Sequence, residues 1–165
     1  MNVTTSVARL QKELIDLVMD PPSVTSSGIA TISACPTNDL DIFHWTATII
    51  GAESTPYDGL EYKLSISFPK DYPLKAPTLL FTTPCFHPNV DNAGNICLDI
   101  LKEKWSASYR AKTILLSIQS LLSDPNTESP LNMYAAQLWS NQQEYRRVLL
   151  EHYESKVIKP NQSNK

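Results

Sequence analysis

The segment His87-Pro88-Asn89-Val90-Asp91-Asn92-Ala93-Gly94-Asn95-Ile96-Cys97-Leu98-Asp99-Ile100-Leu101 is the most informative part of the chain. It sets a cysteine in a turn-rich loop, close in sequence to a histidine, asparagines and aspartates. A nucleophilic cysteine needs accessibility and some stabilisation of its thiolate. An acyl group carried on sulfur also needs a donor aimed at the oxyanion formed when that group is attacked. The side-chain amide of Asn89 is such a donor, and a loop could fold it back to Cys97. His87 could serve as a general base. Blander readings stay open. A lone cysteine between Ile96 and Leu98 suits a small buried hydrophobe, a histidine before proline suits a structural hydrogen bond, and Asn89 suits a turn. Cys35 and Cys85 lie beside prolines with no polar cluster and are expected to be structural.

Other chemistries find little support. Three cysteines with no C-x-x-C pair argue against a disulfide framework or a cysteine-built zinc site. His44, His87 and His152 have no metal-ligand spacing, so no metal is expected. Four glycines and no G-x-x-x-x-G-K give no nucleotide loop. Fourteen basic against 17 acidic residues give a net charge of −3, without the excess typical of nucleic-acid binders. No apolar run approaches the roughly 20 residues of a membrane span. Met1–Ala8 lacks the basic and apolar regions of a signal peptide. The expectation is a soluble intracellular protein that engages neither nucleic acid nor membrane.

The 165 residues suit one domain. Val7, Leu10, Leu14, Leu17 and Val18 recur at helical spacing and predict a helix over 6–19, with Arg9, Lys12, Glu13 and Asp16 off the apolar stripe. Asp20-Pro21-Pro22 stops it. The Ser/Thr-rich stretch 23–40 reads as a loop holding one short edge strand, Ile29–Ala34. Period-two alternation predicts strands around Phe43–Ile49 and Tyr62–Phe68, and Thr78–Thr82 reads as a short apolar strand. Thr83–Tyr109 has no period and reads as a long ordered loop. Helices are expected over 111–122, over 131–139 after Pro130, and after Asn141, which begins a capping-box pattern with Glu144. Residues 1–5 read as a short extension, 6–157 as the core domain and 158–165 as a frayed tail. The element order is α+β: an N-terminal helix, a four-stranded antiparallel meander, a long loop, then three helices.

His87-Pro88-Asn89, followed eight positions later by Cys97 in Asn95-Ile96-Cys97-Leu98-Asp99-Ile100-Leu101, resembles the signature of ubiquitin-conjugating enzymes. Supporting marks run in order through roughly residues 6–155. They are Arg9-Leu10-x-Lys12-Glu13-Leu14, Tyr72-Pro73, Ala76-Pro77, Trp105-Ser106, Leu121-Leu122, Asp124-Pro125-Asn126 and Ser129-Pro130-Leu131-Asn132. Thr83-Pro84-Cys85, Lys102–Ala107, Leu115–Ser120 and Ala135–Trp139 are similar to the branch serving the anaphase-promoting complex in mitotic protein degradation.

The resemblance implies that Cys97 takes ubiquitin as a thioester from the activating enzyme and passes it to substrate lysines with a RING-type ligase. Asn89 would support the loop or stabilise the oxyanion, with His87 and Pro88 structural. Asp99 and Ser129 would shape the lysine's approach. Many relatives are acidic where Ser129 stands, and phosphorylation would add that charge. Arg9 and Lys12 resemble the surface meeting the activating enzyme; Leu74, Ser106 and Ala107 resemble the one meeting the ligase. A solvated helix face is the simpler account of Arg9 and Lys12. No cofactor is expected on the chain, ATP being consumed upstream, and the compartments implied are cytoplasm and nucleus. Arg110-Ala111-Lys112 stands where the branch usually has Asp-Val-Arg, and the 21–41 segment is longer than usual, with Cys35 where an aromatic is common. Alternatives are conjugation of another ubiquitin-like modifier, a non-catalytic binding module, and a cysteine hydrolase using His87 and Cys97.

Overall fold

The computed structural model describes residues 2–162. Helix α1 spans Val3–Met19 and begins earlier than its apolar stripe, because the Asn2 side chain accepts the Thr5 amide at 3.0 Å and caps it. Residues 3–5 of the expected extension are therefore helical. The buried positions are Ser6, Leu10, Glu13 and Leu17. That stripe is turned from the expected one. Val18 is 65% exposed, while Glu13 is only 3% exposed. A step of one residue rotates a helix by about 100°, so a face centred on Leu10 and Leu17 turns Val18 outward.

Strands β1 (Ile32–Asn38), β2 (Asp41–Ile50), β3 (Glu61–Ser67) and β4 (Thr78–Phe81) pair antiparallel in sequence order. Phe43, Trp45, Ala47 and Ile49 of β2 are buried with Tyr62, Leu64 and Ile66 of β3, as the alternation requires. Strand β1 lies later than expected. Cys35-Pro36-Thr37 has no strand pattern of its own; β2 supplies the partner, with Cys35 opposite Thr46 and Pro36 opposite Trp45. The register shifts between Pro36 and Asn38, and proline is tolerated at such an edge.

Helix α2 (Ala111–Ser123) packs Ile114, Leu115, Ile118 and Leu122 into the same core as the sheet. Helix α3 covers only Met133–Leu138. Leu131 and Asn132 stay outside it because both amides bond Pro88 O, at 2.8 and 3.0 Å. The Asn141 side chain accepts the Glu144 amide at 3.2 Å and starts α4, Gln142–Tyr153. The return half of the box is absent: the Asn141 amide bonds Leu138 O, and Glu144 pairs with Arg147. The chain stays helical beyond α4 as a wider π-helical stretch, Glu154–Ile158, and then α5, Lys159–Gln162. The expected frayed tail is helical through Gln162, and 163–165 lie outside the described residues. No helix of the described residues is long and apolar enough to cross a membrane.

Candidate active site

The 87–97 segment folds into a narrow hairpin. Asp91 accepts the amides of Ala93 and Asn95 and the Asn95 side-chain amide, at 2.8–2.9 Å. Gly94 closes the turn at φ +84°; a Cβ there would lie 2.1 Å from Phe81 O, so only glycine fits. Val90 bridges Ile96, and the Cys97 amide donates to Asn89 O at 2.9 Å. The eight-residue spacing is thus the length of one hairpin that lays Cys97 beside Asn89. Cys97 is a free thiol and half-buried.

Each residue of His87-Pro88-Asn89 fastens this hairpin to a distant segment. His87 is wholly buried. Its Nε2 bonds Leu121 O at 2.8 Å, and its Nδ1 lies 3.0 Å from the Asn89 amide that donates to it. Burial pushes its pKa down to about 4. A neutral ring with both nitrogens engaged is a strut, not a base for Cys97, which removes the constellation a cysteine hydrolase needs. Pro88 O holds Leu131 and Asn132, as above. Asn89, also wholly buried, donates Nδ2 to Asn126 O at 2.7 Å and accepts the Asn126 amide on Oδ1 at 2.8 Å. Its amide thus forms a two-sided clamp on the chain after α2. This arrangement fixes the Asn89 amide plane through Oδ1 and one Nδ2 hydrogen, the other Nδ2 hydrogen taking no part in the clamp. From behind, the Tyr57 hydroxyl donates to Phe86 O at 2.6 Å and accepts from the Tyr145 hydroxyl, which lies 3.2 Å from the same carbonyl.

Asp99 opens a single 3-10 turn, Asp99–Leu101, two residues after Cys97. Its carboxylate pairs with Lys104 at 2.7 Å, which holds its pKa below the usual range. Ser129 is exposed between the anchors at Asn126 and Leu131. Leu98, Asp99 and Ile100 face Leu116, Ser120 and Leu121 of α2 across an open groove of about 470 Å³. Of the other thiols, Cys85 packs on the core and burial pushes its pKa up. Cys35 is exposed on β1, so it is not the packing residue expected.

The expected partner residues fall on a second assembly. Leu74 is 56% exposed, Ala107 is exposed and Ser106 is half-buried. Trp105 joins their loops by donating its indole N–H to Pro73 O at 2.9 Å. Lys12 is exposed, as a docking face and a solvated helix face both require. Arg9 is not: its guanidinium is turned inward onto Glu13 at 2.5 Å and onto the carbonyls of Ala107 and Tyr109 at 3.2 and 2.9 Å. The bases at 110 and 112 also have internal partners. Arg110 pairs with Asp16 at 2.8 Å and Lys112 with Asp20 at 2.5 Å, which ties α2 to α1.

Sequence reasoning missed Asn126, Glu13, Tyr57 and Tyr145. Asn126 stood in the Asp124-Pro125-Asn126 mark, without a link to Asn89. Glu13 has Arg9 as a local partner, but its burial depends on Tyr72 and Ala111, 59 and 98 residues away, which the sequence does not connect to it.

Comparison with known proteins adds two findings. Residues 9–153 match the profile of the family described as ubiquitin-conjugating enzyme. A protein of Schizosaccharomyces pombe named ubiquitin-conjugating enzyme E2-20 kDa is 53% identical over 146 residues, covering 88% of this chain and 79% of that protein.

Proposed function

The chain belongs to the ubiquitin-conjugating enzyme family, and from that premise we propose that Cys97 is the residue that carries ubiquitin. The observation behind this is the hairpin that seats a half-exposed Cys97 against a clamped His87-Pro88-Asn89. In the first step the Cys97 thiolate attacks the activating enzyme's thioester carbonyl. The new carbon–sulfur bond forms, the old one breaks, and the activating enzyme leaves as its thiolate. In the second, a substrate lysine attacks the same carbonyl, an amide forms, and Cys97 departs. The amine's proton passes to solvent.

Neither step needs a strong resident base. Acyl exchange between a thioester and a thiolate is nearly neutral and depends on proximity. Aminolysis needs a deprotonated amine and a stabilised oxyanion. ATP is consumed by the activating enzyme, with no cofactor held on this chain. The partners are ubiquitin, the activating enzyme, a RING-type ligase and protein substrates, in cytoplasm and nucleus. Lys12 suits the activating enzyme; Leu74, Ser106 and Ala107 suit the ligase. The finer proposal is the anaphase-promoting complex. It is supported by Thr83-Pro84-Cys85, Lys102–Ala107 and Ala135–Trp139, while Arg110 and Lys112 each stand beside a carboxylate of α1 or its end.

The test is charging with ubiquitin, activating enzyme and ATP, run on reducing and non-reducing gels. A thiol-labile adduct in the wild type, absent in Cys97→Ala, is expected. No adduct with a competent activating enzyme overturns ubiquitin charging and favours another modifier. For Ser129, faster lysine discharge from Ser129→Asp is expected, and an unchanged rate ends the phosphorylation reading.

A further inference from the structure

Glu13 is a carboxylate buried among donors. Arg9 Nε donates to it at 2.5 Å, the Tyr72 hydroxyl at 2.8 and 3.0 Å, and the Ala111 amide at 2.7 Å. These donors come from three separate places. Arg9 lies one turn back on α1 and extends to the carbonyls of Ala107 and Tyr109. Tyr72 precedes Pro73-Leu74, and its ring rests against Trp105 at 6.1 Å between centroids. Ala111 is the first residue of α2, whose own cap position, Arg110, offers no side-chain bond to the helix. A helix start leaves amides unsatisfied and favours negative charge. Glu13 does from α1 what a capping side chain would do from α2.

We propose that Glu13 is the positioning residue of the ligase-facing surface, holding the Leu74 loop through Tyr72 and the Ser106-Ala107 loop through Arg9. This inference rests on the reading of Leu74, Ser106 and Ala107 given above. The chemistry requires an acceptor without hydrogens. Glutamine has nearly the same shape but brings an N–H₂ into a site of donors. With the carboxylate lost, Arg9 has less reason to stay folded inward, and its bonds to Ala107 and Tyr109 weaken with it. Ser6 adds a second tie, donating to Lys70 O at 2.8 Å, so α1 grips the 70–72 segment at two points. None of these contacts involves the Cys97 hairpin, which is braced by other residues. The surface can loosen while the thioester chemistry continues.

The experiment uses the full chain and three variants: Glu13→Gln, Tyr72→Phe and Leu74→Ala. Three rates are read on each. They are charging from the activating enzyme, discharge to free lysine, and discharge under titration with a purified RING module that accelerates the wild type. Glu13→Gln is expected to raise the KM for the RING module about tenfold, with Tyr72→Phe smaller in the same direction. Charging and unstimulated discharge should stay within about twofold of wild type, the range of minor surface changes. Equal loss in all three rates overturns positioning in favour of general damage. Should Glu13→Gln not fold, Tyr72→Phe decides: an unchanged KM overturns the proposal. A KM raised by Leu74→Ala but not by the other two sinks the inference and keeps the surface reading. No effect of Leu74→Ala removes the surface reading and the inference together.

Discussion

The clamp around His87-Pro88-Asn89 and the seam between α1 and α2 both bury polar groups, by opposite means. The clamp uses neutral side chains against main-chain atoms of Leu121 and Asn126. The seam uses a carboxylate and a guanidinium, continued outward by Asp16–Arg110 and Asp20–Lys112. Neutral groups lose little on leaving water when fully bonded, so a rigid frame can be set beside the Cys97 sulfur without importing a buried charge. Ionised groups lose far more and persist only when every acceptor is filled. One carboxylate with three separate donors can therefore add a second tie between loops already joined by the Trp105 indole on Pro73 O. The clamp braces the Cys97 hairpin, and the seam braces the loops that carry Leu74 and Ala107.

The largest expected effect isolates chemistry from architecture. Cys97→Ala should abolish the thiol-labile adduct outright yet shift urea stability by less than ~1 kcal/mol, since the thiol is only half-buried and takes no part in the clamp. Next is pH. The folded pKa of His87 lies below its unfolded value, so the unfolded state binds the proton more readily. The resulting stability is whole above about pH 6.5 and is lost as pH falls toward about 4, in total ~3 kcal/mol. His87→Gln should flatten that part of a urea-midpoint profile. Asn89→Ala leaves the Asn126 amide and carbonyl without their partner, costing ~2–3 kcal/mol by denaturation and slowing discharge more than charging. Glu13→Gln should cost ~1–3 kcal/mol. Arg110→Ala, on the solvent side of the same seam, should cost under ~1 kcal/mol, an effect that fades with salt. Equal costs for these last two would erase the distinction between buried and exposed halves of the seam.

Much of the architecture was legible where local chemistry and burial agree. The alternation in β2 and β3, the apolar face of α2 and the cap at Asn141 need only neighbouring residues. Legibility fails where the partner is far away. Strand β1 is a strand because β2 pairs with it, despite Pro36. Val18 looked like core and Glu13 like surface, because periodicity assigns a face by hydrophobicity and cannot see three donors waiting for a carboxylate. At the site, the residue types and their spacing were plain, but the role of His87 was not. Base and strut have the same sequence, and only burial with both nitrogens bonded separates them.

The amino-acid order by itself determined the helix–meander–helix plan, the family, and the turn that brings Cys97 back beside Asn89, because these depend on short-range periodicity and on glycine, asparagine and proline at fixed offsets. Tertiary structure alone decided that Asn89 spends its amide on Asn126, that Arg9 faces inward, and that Glu13 joins two loops. Those outcomes depend on which donors and acceptors meet once water is excluded, and the meeting groups lie tens of residues apart.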